Sequence, residues 1–227
     1  MVLSKRLQCI ADYIRPDERI VDVGTDHAYI PIWLLQKDPG AAAIATDIRS
    51  GPLSRAKADA ERFGVADRLT LLLCDGLALC APDSVDTVIL AGMGGETMIS
   101  ILEAAPWTLK KRLILQPQTK QAELRQWLAQ RGYCIEDASL VHDNGRIYLI
   151  WMVSAGEMPP FHGVEEALLR KRDKLLKAYL EEQIKRLRKQ INGVAQAQRD
   201  DGGLEKKLLS ELSEMEGIYQ EVKTWQP

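Results

Sequence analysis

The stretch that most constrains this chain is residues 20–32, Ile-Val-Asp-Val-Gly-Thr-Asp-His-Ala-Tyr-Ile-Pro-Ile. Ile20, Val21 and Val23 make a short β-branched apolar run, the pattern of a buried strand. Gly24 permits a tight turn, and Ile30, Ile32, Trp33 and Leu34 lead into a helix. A strand, a small-residue turn and a helix opening form the first half of a nucleotide-binding α/β unit. The turn departs from the dinucleotide fingerprint: where Gly-x-Gly-x-x-Gly needs three glycines, one is present, followed by Asp26 and His27. A pyrophosphate seeks bare amides at a helix N-terminus, and Asp26 repels it. A cationic or zwitterionic nucleoside without a phosphate suits the turn better. S-adenosylmethionine, with its sulfonium, ammonium and carboxylate, has that chemistry.

The same strand–helix alternation continues. Residues 3–14 place Leu3, Leu7, Ile10, Ala11 and Ile14 at helical spacing before the Arg15-Pro16-Asp17 break. A helix over 30–37 stops at Asp38-Pro39-Gly40. Residues 41–48 form a second strand, and Ser50-Gly51-Pro52 opens a helix running to about Phe63, with Gly64 as its C-cap. Residues 69–73 are nearly all apolar and are expected to be a strand buried on both faces. Residues 86–91 give a fourth strand, followed by Gly92-Met93-Gly94-Gly95 and a helix over 96–105. Residues 111–115 give a fifth, ending in Gln116-Pro117-Gln118. Thr119 is the expected N-cap of a helix carrying Ala122, Leu124, Trp127 and Leu128. Two further strands over 133–153 join at Asp143-Asn144-Gly145-Arg146, a strong hairpin signal. Five strand-helix units and a hairpin predict a doubly wound, mostly parallel α/β sheet of seven strands.

The acidic and glycine positions then fall at the carboxyl ends of successive strands, where open α/β sheets bind their ligands. Asp47 lies 23 residues after Gly24, placed to accept both ribose hydroxyls. Asp75 is placed to take the adenine amino group. Asp22 or Asp26 faces the ammonium or orients amides, and Gly24 lets the backbone approach the ligand. The expected cofactor set is Asp22, Gly24, Thr25, Asp26, His27, Asp47, Ile48, Asp75, Gly76, Gly92 and Met93. His27 sits just past the turn, and Tyr29 either stacks a base or packs. Gly94 and Gly95 allow a flat ligand close to the backbone, and Gln116 and Gln118 offer base-edge hydrogen bonds.

The bulk numbers exclude some classes. The 227 residues suffice for one ordinary domain and an appendage, and the net charge of −2 argues neither for nor against nucleic acid. Cys9, Cys74, Cys80 and Cys134 form no CxxC pair and have no histidine at metal-ligand spacing, so no metal is expected; three of them read as buried thiols of a reducing cytosol. No signal-peptide core and no membrane-length apolar run appear, which predicts a soluble cytoplasmic protein without a membrane partner.

Met158-Pro159-Pro160 marks a boundary between residues 1–160 and 161–227. Beyond it, apolar residues spaced by threes and fours over 164–199 and 204–225, around Asp200-Asp201-Gly202-Gly203, predict an antiparallel coiled-coil helical hairpin. The first arm (164–199) carries ten Lys/Arg against five Asp/Glu, the second (204–227) three against five. The basic excess includes Arg170, Lys171, Lys185 and Arg186. A charge run is usually a solvated face; as a binding surface it would meet nucleic acid.

Asp-Val-Gly-Thr-Asp-His-Ala-Tyr-Ile-Pro at 22–31, Thr-Asp-Ile at 46–48, Ala-Gly-Met-Gly-Gly at 91–95 and Leu-Gln-Pro-Gln at 115–118 resemble the bacterial TrmK family. Its members are tRNA adenine-N1 methyltransferases acting at position 22, with a class I Rossmann-like methyltransferase domain and a C-terminal helical hairpin. The resemblance covers the whole chain and implies S-adenosylmethionine as cofactor and tRNA as partner. It implies Asp26, His27 and Tyr29 near the reacting base and the basic arm on tRNA. The Asn/Asp-Pro-Pro-Tyr/Phe motif of amino-group methyltransferases is absent after the fourth strand. A methyltransferase for another RNA, a protein or a small molecule, and a non-catalytic scaffold of the same fold, are the rival readings. A monomer or weak dimer is expected.

Overall fold

The computed structural model describes residues 1–159, 163–197 and 203–225. The chain divides into two compact units, Met1–Met158 and Pro159–Pro227.

The first unit runs α1 (Lys5–Ala11), β1 (Ile20–Val23), α2 (Tyr29–Lys37), β2 (Ala43–Asp47), α3 (Ser50–Arg62), β3 (Leu69–Leu73), β4 (Thr87–Gly94), α4 (Gly95–Ala104), β5 (Arg112–Thr119), α5 (Gln121–Gln130), β6 (Tyr133–Asp143) and β7 (Arg146–Ala155). The strands form one seven-stranded sheet in the order β3-β2-β1-β4-β5-β7-β6. Strands β1 to β5 pair in parallel, and β7 is antiparallel to both β5 and β6. Strand order reverses between β1 and β4, the switch point at which open α/β sheets bind ligands. The central strands are mostly apolar because helices cover both faces: Ile20, Val21, Ile89, Leu90 and Leu113 to Leu115 are fully buried. Asn144 and Gly145, at φ +48° and +75°, make the two-residue hairpin turn between β6 and β7.

Several expectations are corrected. β3 is not buried on both faces: it is the sheet edge, and Leu73 is 55% exposed. No α-helix follows it; residues 74–86 return to β4 through one 3₁₀ turn at Pro82–Ser84, so four strand-helix units precede the hairpin rather than five. The glycines after the fourth strand do not end it. β4 runs on to Gly94 around a register shift between Ala91 and Met93, where Gly92 at φ +77° supplies the bulge. Gln116-Pro117-Gln118 likewise belongs to β5. Proline is tolerated because pairing with β7 covers only Leu113 to Leu115. Lys120 at φ +56°, not Thr119, caps α5. α1 is shorter than the apolar spacing implied, capped by Ser4, whose hydroxyl accepts from the Leu7 amide. Cys80 alone among the cysteines is buried.

The second unit contains α6 (Glu166–Lys171), α7 (Leu176–Ala197) and α8 (Gly203–Lys223). The expected first arm is thus two helices, broken where Arg172 adopts φ +48°. Arg188 pairs with Glu216 at 2.7 Å, and Tyr219 donates to Glu181 at 2.8 Å, so α7 and α8 lie antiparallel. Leu176, Leu180, Ile184 and Leu187 of α7 and Leu208 and Val222 of α8 are buried, whereas Leu204 is exposed. The expected turn at 200–203 falls, except for Gly203, outside the described residues.

Candidate cofactor and substrate site

Three loops meet at the carboxyl rim of β1, β2 and β3. The amides of Gly24 and Thr25 both donate to the Thr46 carbonyl, at 2.8 and 3.0 Å. Thr46 Oγ1 donates to the Gly76 carbonyl at 2.8 Å, and the Cys74 amide donates to the Asp47 carbonyl at 3.1 Å. The turn after β1 is therefore tied to β2, and β2 to the turn after β3. Asp22, Asp47 and Asp75 stand on one rim.

The β1 turn is locked from within. Thr25 Oγ1 donates to Asp22 Oδ2 at 2.6 Å and accepts from the Ala28 amide at 3.0 Å, which fixes the entry to α2. Asp22 is buried, and burial pushes its carboxyl up to about 6, against the hydrogen bond from Thr25 and the positive charge of Arg6. Gly24 sits at φ +69°, and a Cβ there would collide with Met93 Cε. Asp47 is also buried; its Oδ1 accepts from the Arg49 amide at 2.7 Å. Ile48, just past β2, and Leu73, the last residue of β3, are both well exposed. Asp75 and Gly76 line a cleft of about 410 Å³ whose other wall is α4, including Glu96 and Thr97.

Asp26, His27 and Tyr29 are engaged with α3 and with one another. Arg55 forms an ion pair with Asp26 and holds its carboxyl below the usual carboxylate range. His27 Nδ1 lies 2.7 Å from Asp59 Oδ2, its Nε2 lies 3.8 Å from Asp26 Oδ2, and its ring stacks on Tyr29 at 4.8 Å. Asp26 is therefore not the unmatched negative charge that the sequence suggested. Tyr29 opens onto a second cleft of about 530 Å³ shared with Ser4, Asp59, Arg62 and Phe63.

Along β4 and β5, Gly95 is packed so tightly that a Cβ would collide with the Lys120 carbonyl, and Gly94 faces Thr119 Oγ1. Gln116 is buried and accepts from Arg6 Nη1 at 2.9 Å; Gln118 is exposed, its Nε2 3.6 Å from the Cβ position of Gly92. Arg170, Lys171, Lys185 and Arg186 are exposed on α6 and α7 of the second unit, and Arg186 lies 3.7 Å from Glu182. Arg6, Arg55 and Asp59 are the rim residues that sequence reasoning missed. Arg55 and Asp59 stand four apart, hence on one face of α3, but nothing in the sequence said which face meets the turn. Among the described residues no cluster suits a metal ion, and no helix is long and apolar enough to cross a membrane.

A parallel sheet closed by an antiparallel β7, with its loops gathered at the switch point, defines a Rossmann-like methyltransferase. The chain belongs to the methyltransferase domain family, whose model matches residues 3–151. It is 36% identical over 157 residues to the tRNA (adenine(22)-N(1))-methyltransferase of Bacillus subtilis, covering 68% of this chain and 66% of that protein. A Streptococcus pneumoniae structure, a putative tRNA (m1A22) methyltransferase in complex with S-adenosyl-L-methionine, is 27% identical with a TM-score of 0.83, covering 96% of this chain and 100% of that one. Mycoplasma capricolum TrmK in complex with S-adenosyl-homocysteine is 25% identical with a TM-score of 0.77, covering 98% and 100%. The resemblance to the TrmK family thus extends over both units.

Proposed function

We propose that the chain is an S-adenosylmethionine-dependent methyltransferase that places a methyl group on N1 of adenine 22 in tRNA. The observation that carries this reading is the likeness, over 96% of this chain, to a structure holding S-adenosylmethionine, joined to a rim whose acceptors fit that molecule. Asp22 offers a buried carboxylate for its ammonium, Asp47 an acceptor for ribose hydroxyls, and Asp75 an acceptor for the adenine amino group. Gly24 and Gly92 leave the backbone bare, and Ile48 and Leu73 supply apolar cover for a flat base. Residues 1–160 form the catalytic domain and 161–227 the tRNA-binding appendage. The protein acts in the cytoplasm as a monomer or weak dimer.

When bound, S-adenosylmethionine supplies an electrophilic methyl group on a sulfonium. Adenine N1 carries its own lone pair at neutral pH, so the protein's main task is alignment, which lowers such a barrier by several kcal/mol. N1 lies on the Watson–Crick edge, so the target base must be unpaired or extruded from the tRNA fold. Gly94 and the exposed Gln118 stand at the ends of β4 and β5, on the side where that base would sit, whereas Gly95 and Gln116 are buried and support them from within. His27 is held through Nδ1 by Asp59, with Nε2 3.8 Å from Asp26, and is the ring placed to meet the base or its amino group. Asp26, shared with Arg55, favours the cationic product only to the extent that Arg55 leaves its charge unmatched. The exposed cations of α6 and α7 meet phosphates.

Methyl-labelled S-adenosylmethionine incubated with the chain and unmodified bulk tRNA tests this. Label should enter the polynucleotide and be lost on ribonuclease treatment. Label in protein or small molecules instead would establish the rival substrate class, and no transfer alongside cofactor binding would favour the scaffold.

A further inference from the structure

The cleft onto which Tyr29 opens belongs to none of the strand ends that carry the rim. Its walls come from residues 1–7, the first turn of α2, and the last turn and C-cap of α3, and its volume is about 530 Å³. It shares no lining residue with the cleft of Asp75 and Gly76.

The lining suits a flat ring. Tyr29 and Phe63 both stand on it, beside the aliphatic Val2, which is 96% exposed. The Arg62 guanidinium lies over the Phe63 ring, 4.8 Å from its centroid. Arg62 Nη1 is 3.8 Å from Asp59 Oδ1, beyond hydrogen-bonding distance, and its side chain is largely exposed. Such a surface pair is worth little and is easily exchanged for a phosphate. A cleft of this volume is in the range that holds one small planar ligand rather than a protein face.

One pair of stacked rings separates this cleft from the proposed site of chemistry. His27 lies on Tyr29, with ring centroids 4.8 Å apart and planes 10° apart. His27 is also bound through Nδ1 to Asp59, a residue of the cleft wall. A group seated against Tyr29 is therefore next to whatever meets His27. Aromatic faces and guanidinium planes, with a cation for the backbone, are the means by which unpaired nucleotides are held. An adenine drawn out of its stack leaves its neighbour in the strand without a partner on one side, and an aromatic cleft beside the site restores one.

We propose that this cleft takes the base of the nucleotide next to the methylated adenine, seated against Tyr29 and Phe63, with Arg62 on its phosphate. The assignment rests on the tRNA reading above and adds a second nucleotide to it.

Methylation kinetics test it, with intact tRNA and with tRNA made abasic at the nucleotide 5′ or 3′ of the target. The wild-type chain should lose about 5- to 100-fold in kcat/KM on one of the two abasic tRNAs, the range of one base–aromatic stack. This comparison needs no variant to fold. Phe63→Leu keeps apolar bulk and removes the aromatic face. It should lose about the same factor on intact tRNA and lose no more when that base is absent. Its affinity for S-adenosylhomocysteine, measured by calorimetry, should equal that of the wild type. Arg62→Gln should flatten the salt dependence of tRNA affinity by about one unit; an unchanged slope would overturn the phosphate contact. Wild-type activity undiminished on both abasic tRNAs would overturn the proposal. So would losses from Phe63→Leu and from the missing base that multiply, because side chain and base would then act independently. A matching fall in S-adenosylhomocysteine affinity would overturn it in favour of a structural role for Phe63. Each of these results, with intact tRNA methylated by the wild type, would leave the tRNA reading standing. A wild-type chain that methylated no tRNA would remove both.

Discussion

The Met93 side chain lies where a side chain on Gly24 would have to go: a Cβ built on Gly24 collides with Met93 Cε. Gly24 also holds φ +69°, a conformation that costs an L-residue about 1–2 kcal/mol. Gly24→Ala should therefore lower stability by about that amount and weaken S-adenosylhomocysteine by at least about tenfold, since it both strains the turn and pushes the Met93 side chain out of its place against the turn. Met93→Ala in the same background should relieve the clash but not the strain. Thermal denaturation and calorimetry check this, and an unchanged affinity in Gly24→Ala would show that the turn is not a ligand wall.

Burial raises the Asp22 carboxyl from 3.8 to about 6. The folded state then binds a proton more tightly than the unfolded state between those values, so Asp22 lowers stability as pH rises from about 4 to about 6. At neutral pH the cost is of order 3 kcal/mol. Asp22→Asn, which keeps an acceptor for Thr25, should raise the melting temperature at pH 7.5 while weakening the cofactor. In the wild type, binding an ammonium ligand near pH 6 should release a proton, detectable as a dependence of the calorimetric heat on buffer ionisation enthalpy. A ligand affinity that stays flat from pH 5 to 8 would contradict the role given to Asp22.

At the opposite, amino-terminal rim, Glu18 and Arg112 form an ion pair with both side chains largely buried; Glu18 also accepts from Thr87 Oγ1 at 2.9 Å, and Arg112 Nη2 donates to the Tyr13 carbonyl at 3.0 Å. Removing one partner leaves the other charge buried. Arg112→Leu should cost about 3–5 kcal/mol without altering cofactor affinity in the fraction that folds. Denaturant titration paired with calorimetry separates the two effects.

The basic surface of α7 is exposed, and its pair between Arg186 and Glu182 is a surface one, worth little and easily exchanged for a phosphate. Lys185→Glu with Arg186→Glu should leave cofactor binding intact, weaken tRNA methylation, and flatten the dependence of log affinity on log salt by about one unit for each lost phosphate contact. An unchanged salt slope would assign the cations to a solvated face.

The sheet was legible because hydrophobic period and turn chemistry agreed along β1, β2, β5 and the hairpin at Asn144-Gly145. Where they parted, tertiary context decided. Residues 69–73 are as apolar as an interior strand, yet β3 is the edge, a position set by strand order and not by its own composition. Gly92-Met93-Gly94 has the look of a turn, but pairing with β5 carries the strand across a bulge. The rim aspartates were legible from spacing because each stands within two residues of the carboxyl end of its own strand. Arg6, Arg55 and Asp59 were not, since each reaches the rim from another helix, and spacing along one element says nothing about its neighbour.

The central claim, that this rim holds S-adenosylmethionine against N1 of a tRNA adenine, is met most directly by mass spectrometry of unmodified tRNA digested after incubation with chain and cofactor. The expected result is 1-methyladenosine in the fragment containing position 22 and nowhere else. Methylation at another atom or another nucleotide, or a tRNA left unmodified by a chain that binds the cofactor, would contradict it.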